Sequence, residues 1–104
     1  MRFLVKATIP IEAGNQAIKE GTFSTAVQAV MEALKPEAAY FFEENGHRTA
    51  LLVVEMQEVS QIPRIAEPFF LRMNAEVRFH PVMTAEDLAK AGLEELVKQW
   101  GGRS

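Results

Sequence analysis

The stretch Ala38-Ala39-Tyr40-Phe41-Phe42-Glu43-Glu44-Asn45-Gly46-His47-Arg48-Thr49-Ala50-Leu51-Leu52-Val53-Val54 decides the fold. Two runs rich in aromatic and branched residues flank Asn45-Gly46. That dipeptide suits a type I′ turn, in which both central residues need a positive φ. A two-residue loop then fixes which residues face each other. It sets Glu44 opposite His47, Glu43 opposite Arg48, Phe42 opposite Thr49 and Tyr40 opposite Leu51. Opposite charges at Glu43 and Arg48 agree with that register.

Outward from this hairpin, the pattern predicts a strand over Arg2 to Ile9, where Phe3, Val5, Ala7 and Ile9 alternate with Arg2, Leu4, Lys6 and Thr8. Pro10 ends it by removing a backbone donor. A helix follows from about Thr22 to Lys35, on the stripe Phe23, Val27, Val30 and Leu34, and Pro36 stops it. Gly14 and Gly21 weaken the segment before it, so a looser helical arm is expected there. Beyond the hairpin, Ser60 is the expected cap of a second helical region with Pro63 in its first turn. Pro68 predicts a kink or two short helices. Ala75 to Met83 reads as the fourth strand. Thr84-Ala85-Glu86-Asp87 resembles a capping box and opens a last helix with Leu88, Leu93, Leu96, Val97 and Trp100 on its apolar side, ended by Gly101-Gly102.

The order is βαββαβ with a C-terminal helix: an α+β chain with a four-stranded antiparallel sheet and its helices on one face. At 104 residues it reads as a single domain, 1–104, with no internal repeat or linker. Its net charge of -3 argues against a nucleic-acid partner and against an anionic membrane surface. The absence of cysteine excludes disulfides and thiolate sites. Arg2 follows the first residue and Lys6 ends the first apolar run, so no secretory leader or membrane span is expected and the cytoplasm is the expected location.

Phe3, Val5, Ala7, Ala50, Leu52, Val54, Val77 and Phe79 form the purer apolar set and should face the helices. The other face carries Leu4, Lys6, Thr8, Tyr40, Phe42, Thr49, Leu51, Val53, Glu55, Glu76, Arg78, His80 and Val82. Leu4, Tyr40, Phe42, Leu51 and Val53 make that face too apolar for water. Lys6, Glu55, Arg78 and His80 would need partners if buried. Two such sheets packed face to face in a twofold homodimer satisfy both demands.

The opening Met1-Arg2-Phe3-Leu4-Val5, the hairpin, the close Phe79-His80-Pro81-Val82-Met83 and the acidic Glu86-Asp87 together resemble the dimeric α+β barrel superfamily, which has a ferredoxin-like fold. More narrowly, Val77-Arg78-Phe79-His80-Pro81-Val82 resembles the V-x-x-x-P-V ending of an uncharacterised bacterial branch. The opening is distantly similar to that of muconolactone isomerases. The resemblance covers roughly residues 2–90. It implies a homodimer whose two sheets form a barrel. The superfamily includes cofactor-independent monooxygenases, isomerases and haem enzymes, so the fold does not select an activity. No catalytic motif of those enzymes is matched.

The chemistry-bearing candidates come from the uncovered face. His80 would serve as general base or hydrogen-bond a ligand near neutral pH; its plainer role is a strand-end histidine bonded within a dimer. Arg78 would bind a carboxylate bidentately, or pair with Glu55 or Glu76. Tyr40 would donate to an enolate-like oxygen, or serve as an interface aromatic. Lys6 and Glu55, expected on neighbouring strands, and Phe42 are the expected ligand-binding positions, with a Lys6–Glu55 ion pair as the alternative. His47, after the turn, is expected in solvent. Neither histidine has metal-type spacing, and no dinucleotide or P-loop fingerprint is present, so neither metal nor cofactor is expected. These residues lead to two main expectations, with a haem-binding member that uses His80 as axial ligand as a third. One is a homodimer binding a small, partly apolar molecule, with cofactor-independent isomerisation or oxygenation as the chemistry. The other is a structural or regulatory dimer without a ligand.

Overall fold

A computed structural model describes residues 1–102. Strand β1 (Arg2–Ile9) is followed by helices α1 (Ile11–Glu20) and α2 (Phe23–Leu34). The hairpin β2 (Ala38–Glu44) and β3 (His47–Glu55) comes next, then a short 3-10 turn (Val59–Gln61) leading into α3 (Ile62–Met73). Strand β4 (Glu76–Pro81) and two short helices, α4 (Ala85–Ala89) and α5 (Leu93–Trp100), complete the chain. The four strands form one antiparallel sheet in the order β2-β3-β1-β4. The fold is α+β with an open sheet.

The hairpin has the expected register throughout, from Glu44 opposite His47 to Tyr40 opposite Leu51. Asn45 and Gly46 have φ of 55° and 81°, as a primed turn requires. The Glu43 carboxylate accepts from the Gly46 N–H at 3.0 Å.

One face of the sheet is sealed. Val5, Ala7, Ala50, Leu52 and Val54 are buried there against Ala26 and Val30 of α2 and Ile65, Phe69 and Met73 of α3. Phe3 and Phe79 pack edge to face on the same side, their ring centroids 6.4 Å apart. Helix α1 also lies close to the sheet. Its Gly14 is buried, and a Cβ there would stand 2.6 Å from Nη1 of Arg48, so the bare backbone makes room for that side chain.

Several local expectations are corrected. The looser arm before Thr22 is a regular helix, because Gly21, at φ 74°, serves as its C-cap and separates α1 from α2. Ser60 does not cap α3; its hydroxyl donates to Glu58, and the Gln61 side chain accepts from the Gln57 and Glu58 N–H groups instead. Pro68 does not divide α3, which runs unbroken from Ile62 to Met73. The residue four back, Arg64, is exposed, so water can replace the donor that Pro68 lacks. The fourth strand is shorter than Ala75 to Met83. The last helix is two helices, because Gly92 adopts φ 72° between them. Its capping box is present: the Asp87 N–H donates to the Thr84 hydroxyl, and the Thr84 N–H to the Asp87 carboxylate, both at 3.0 Å.

No residue of α4 or α5 is buried. The radius of gyration is 18.0 Å, against roughly 13 Å for a compact chain of this length. The longest dimension is 63 Å. Residues 84–102 thus form an arm that leaves the body after β4. Among the described residues, no helix is long and apolar enough to cross a membrane.

Candidate functional site

Strand alternation and the strand register place the uncovered side chains on a grid. Tyr40, Leu51, Lys6 and Arg78 form one row across all four strands. Val53, Leu4 and His80 lie in the row towards Glu55, and Phe42, Thr49, Thr8 and Glu76 in the row towards the hairpin turn. Leu4, Leu51 and Val53 are half-buried, while Tyr40 is 61% and Phe42 40% exposed. The middle of this face is mixed: Leu4, Leu51 and Val53 lie beside Lys6, and Glu76, Arg78 and His80 line the β4 edge.

A cleft of about 510 Å³ opens at the hairpin end, lined by Lys6, Thr8, Glu44, His47, Glu76 and Arg78 among others. Strands β1 and β4 supply Lys6 and Arg78 as register partners. The turn brings Glu44 and His47 over them. Lys6 Nζ lies 2.6 Å from the Glu44 carboxylate, and Arg78 Nη2 lies 3.6 Å from the Glu76 carboxylate. His47 Nδ1 is 3.1 Å from the Asn45 carbonyl, so the ring donates there when Nδ1 carries the proton and leaves Nε2 for other partners. Two cations, two carboxylates and an imidazole thus share one concave surface. Such a surface can hold an oxyanion on Arg78 and Lys6 and exchange a proton at His47.

The candidate residues divide. Lys6 and Arg78 are together in the cleft. Glu55 is not beside Lys6: it faces Arg2 across β1 and β3, at the opposite end of the strands, and accepts from the amino group of Met1 at 2.6 Å. Lys6 pairs with Glu44 instead. His80 is exposed beside Leu4 and is not among the residues lining this cleft. Tyr40 shares a row with Arg78 but stands three strands away, about 14 Å at ordinary strand spacing. Phe42 lies on the same edge strand as Tyr40. One chain therefore does not bring Tyr40 beside Arg78 and His80.

His47, expected in solvent, is half-buried and lines the cleft. The hairpin register held the signal, since it places His47 opposite Glu44 on the uncovered face, two positions before Thr49. Arg2 is fixed at the other end of the strands by a bidentate contact with Glu37, at 2.8 and 3.1 Å. Those hydrogen bonds, with the opposite charge, hold the Glu37 carboxyl below its ordinary pKa and raise that of Arg2. Among the described residues, no group of three or more histidines and carboxylates is arranged to hold a metal ion.

No protein-family model matches this chain, and a search among curated proteins finds no match at a significant level.

Proposed function

We propose that this chain is one protomer of a homodimer of ferredoxin-like α+β barrel type, its two open sheet faces packed together, and that the dimer binds a small, partly apolar molecule bearing an oxyanion. The observation that carries the reading is the division of the open face. Leu4, Leu51, Val53, Tyr40 and Phe42 supply apolar surface that a second sheet would bury, and the Lys6–His47–Arg78 cleft lies beside them. A second sheet would also wall the cleft and lower its dielectric, which strengthens a charge-assisted contact to Arg78. Proton transfer beside a carbonyl, as in cofactor-independent isomerases, is the step these groups suit, with His47 or His80 as base and Tyr40 as donor to the developing oxyanion.

The Lys6–Glu44 and Arg78–Glu76 pairs favour a second reading, in which the cations are already satisfied and the dimer is structural. A titration of the labelled protein with benzoate, followed by NMR, separates the two. The first reading expects shifts at Lys6, Thr8, His47 and Arg78, and an affinity about tenfold weaker in Arg78→Ala. If benzoate moves none of these signals, and the uncharged benzyl alcohol moves none either, the structural reading stands in its place.

A further inference from the structure

We infer that residues 84–102 of each protomer clasp a second copy of this chain, laying Leu93, Leu96, Val97 and Trp100 along the β2 edge of the partner subunit. The inference rests on the dimer proposed above and adds a second contact to it. Four observations carry it.

First, the arm is amphipathic and uncovered. Leu93, Leu96, Val97 and Trp100 fall at i, i+3, i+4 and i+7, the spacing of a helix that docks by one face. Their exposures run from 43% at Leu96 to 80% at Trp100. Second, the bend at Gly92 leaves an open notch between Leu88 and Leu93, rimmed by Glu94 and Glu95, that no other described residue fills. Third, the surface is too large for a finished particle. A compact monomer of 11.6 kDa exposes about 5,800 Å², and this chain exposes 7495 Å². The excess is about 1,700 Å² per chain, and twice that is the area an obligate homodimer buries. Fourth, β2 is an edge strand, and its Phe41, which pairs with Ala50 on the helical side and so stays outside the sheet-to-sheet contact, is 54% exposed. An apolar edge of this kind is ordinarily covered.

The topology joins these observations. A twofold axis parallel to the strands sets β4 of one sheet over β2 of the other. The arm leaves from the end of β4 and is thereby set beside the partner's β2 and its exposed Phe41. The same axis carries Tyr40 of the partner subunit over Arg78, because both lie in the Tyr40–Leu51–Lys6–Arg78 row and at opposite edges. The cleft then gains the wall, and the phenol, that a single chain cannot provide. A lipid surface is the poorer occupant, since Glu94 and Glu95 open α5 and anionic headgroups would repel them.

Trp100 is the sole tryptophan, so its fluorescence reports the arm alone. Sedimentation and acrylamide quenching, measured over the same dilution series of the full chain, should show Trp100 shielded and blue-shifted in the dimer and released as the dimer dissociates. Leu96→Glu should weaken the dimer by about 30-fold or more and expose Trp100, with an unchanged far-ultraviolet spectrum. A Phe41→Cys/Val97→Cys chain, otherwise free of cysteine, should oxidise to a species of twice the chain mass. A dimer whose Trp100 is fully quenchable overturns the clasp and leaves the face-to-face dimer standing. A monomer at every concentration removes both. Trp100 shielded in a monomer, or only on phosphatidylserine vesicles, overturns the clasp, and an oxidised species of single-chain mass overturns the β2 edge as its seat.

Discussion

Leu51 and Leu52 are adjacent leucines on one strand, and they meet opposite fates. Leu52 faces α2 and α3 and is 0% exposed, whereas Leu51 faces away from every helix and is only half-buried. Strand alternation turns one chain position into the difference between a finished interior and an unfinished one. The covered face gathers Val5, Ala7, Leu52 and Phe69 into a core closed by the chain itself. The uncovered face and the arm carry side chains of similar hydrophobicity with nothing above them. A single copy of this protein therefore leaves part of its apolar surface unburied.

The largest effect expected is on the covered side. Leu52→Ala removes a side chain with no solvent contact, and the cavity adds to the lost transfer energy, for a cost of about 2–5 kcal/mol. That is a large share of the stability of an ordinary domain. Urea unfolding should show the midpoint falling with an unchanged slope. A cost below about 1 kcal/mol would mean that the face is less well packed than its burial indicates.

The neighbouring position sharpens the contrast. Leu51→Lys should change the folding free energy of the isolated chain by about 0.5 kcal/mol or less, because its surroundings are already half-solvated. It should weaken self-association by about 30-fold or more, because it places a charge in the middle of the proposed sheet-to-sheet contact. Sedimentation equilibrium and urea unfolding on the same variant read the two effects separately. Equal loss of stability and association would erase the distinction between the faces.

The covered face was legible because its signals are local and redundant. Asn45-Gly46 allows few turns, and a two-residue loop gives the register of the two strands without knowledge of anything distant. Phe3, Val5 and Ala7 then declare their face by alternation. The errors fell where a tertiary or solvent effect decides a local choice. Pro68 is tolerated because Arg64 is exposed, which its own sequence does not state. Gly92 divides the last helix although the apolar spacing runs through it. The candidate site was legible only in part. Lys6 and Arg78 follow from alternation. The Lys6–Glu55 pairing required the stagger of β1 against β3, two strands far apart in sequence, and that stagger brings Glu44 to Lys6 instead. His47 was missed because a residue beside a turn looks solvated until the strand across from it is placed.

The smallest effect expected concerns the arm, whose helices lean on local bonds where the body leans on packing. The Asp87 carboxylate accepts from the Thr84 N–H, the Thr84 hydroxyl accepts from the Asp87 N–H, and these bonds, with the nearby Arg2 charge, hold the Asp87 pKa below its ordinary value. A carboxyl whose folded pKa is depressed adds stability above its unfolded pKa and loses it as the pH falls through the folded one. The cap should therefore be intact near neutrality and fail only on strong acidification, below the usual aspartate range. Glu37, held down by Arg2, titrates in the same direction and tests the body in the same experiment. NMR should show the Thr84 and Asp87 amides shifting together as acid is added, and α4 exchanging its amide hydrogens faster while the Leu52 amide stays protected. Asp87→Asn should abolish the coupled shift and leave the core signals in place. If acid instead releases α4 and the β-sheet amides at one midpoint, the arm is held by packing in the assembled protein, and its independence in the single chain does not survive association.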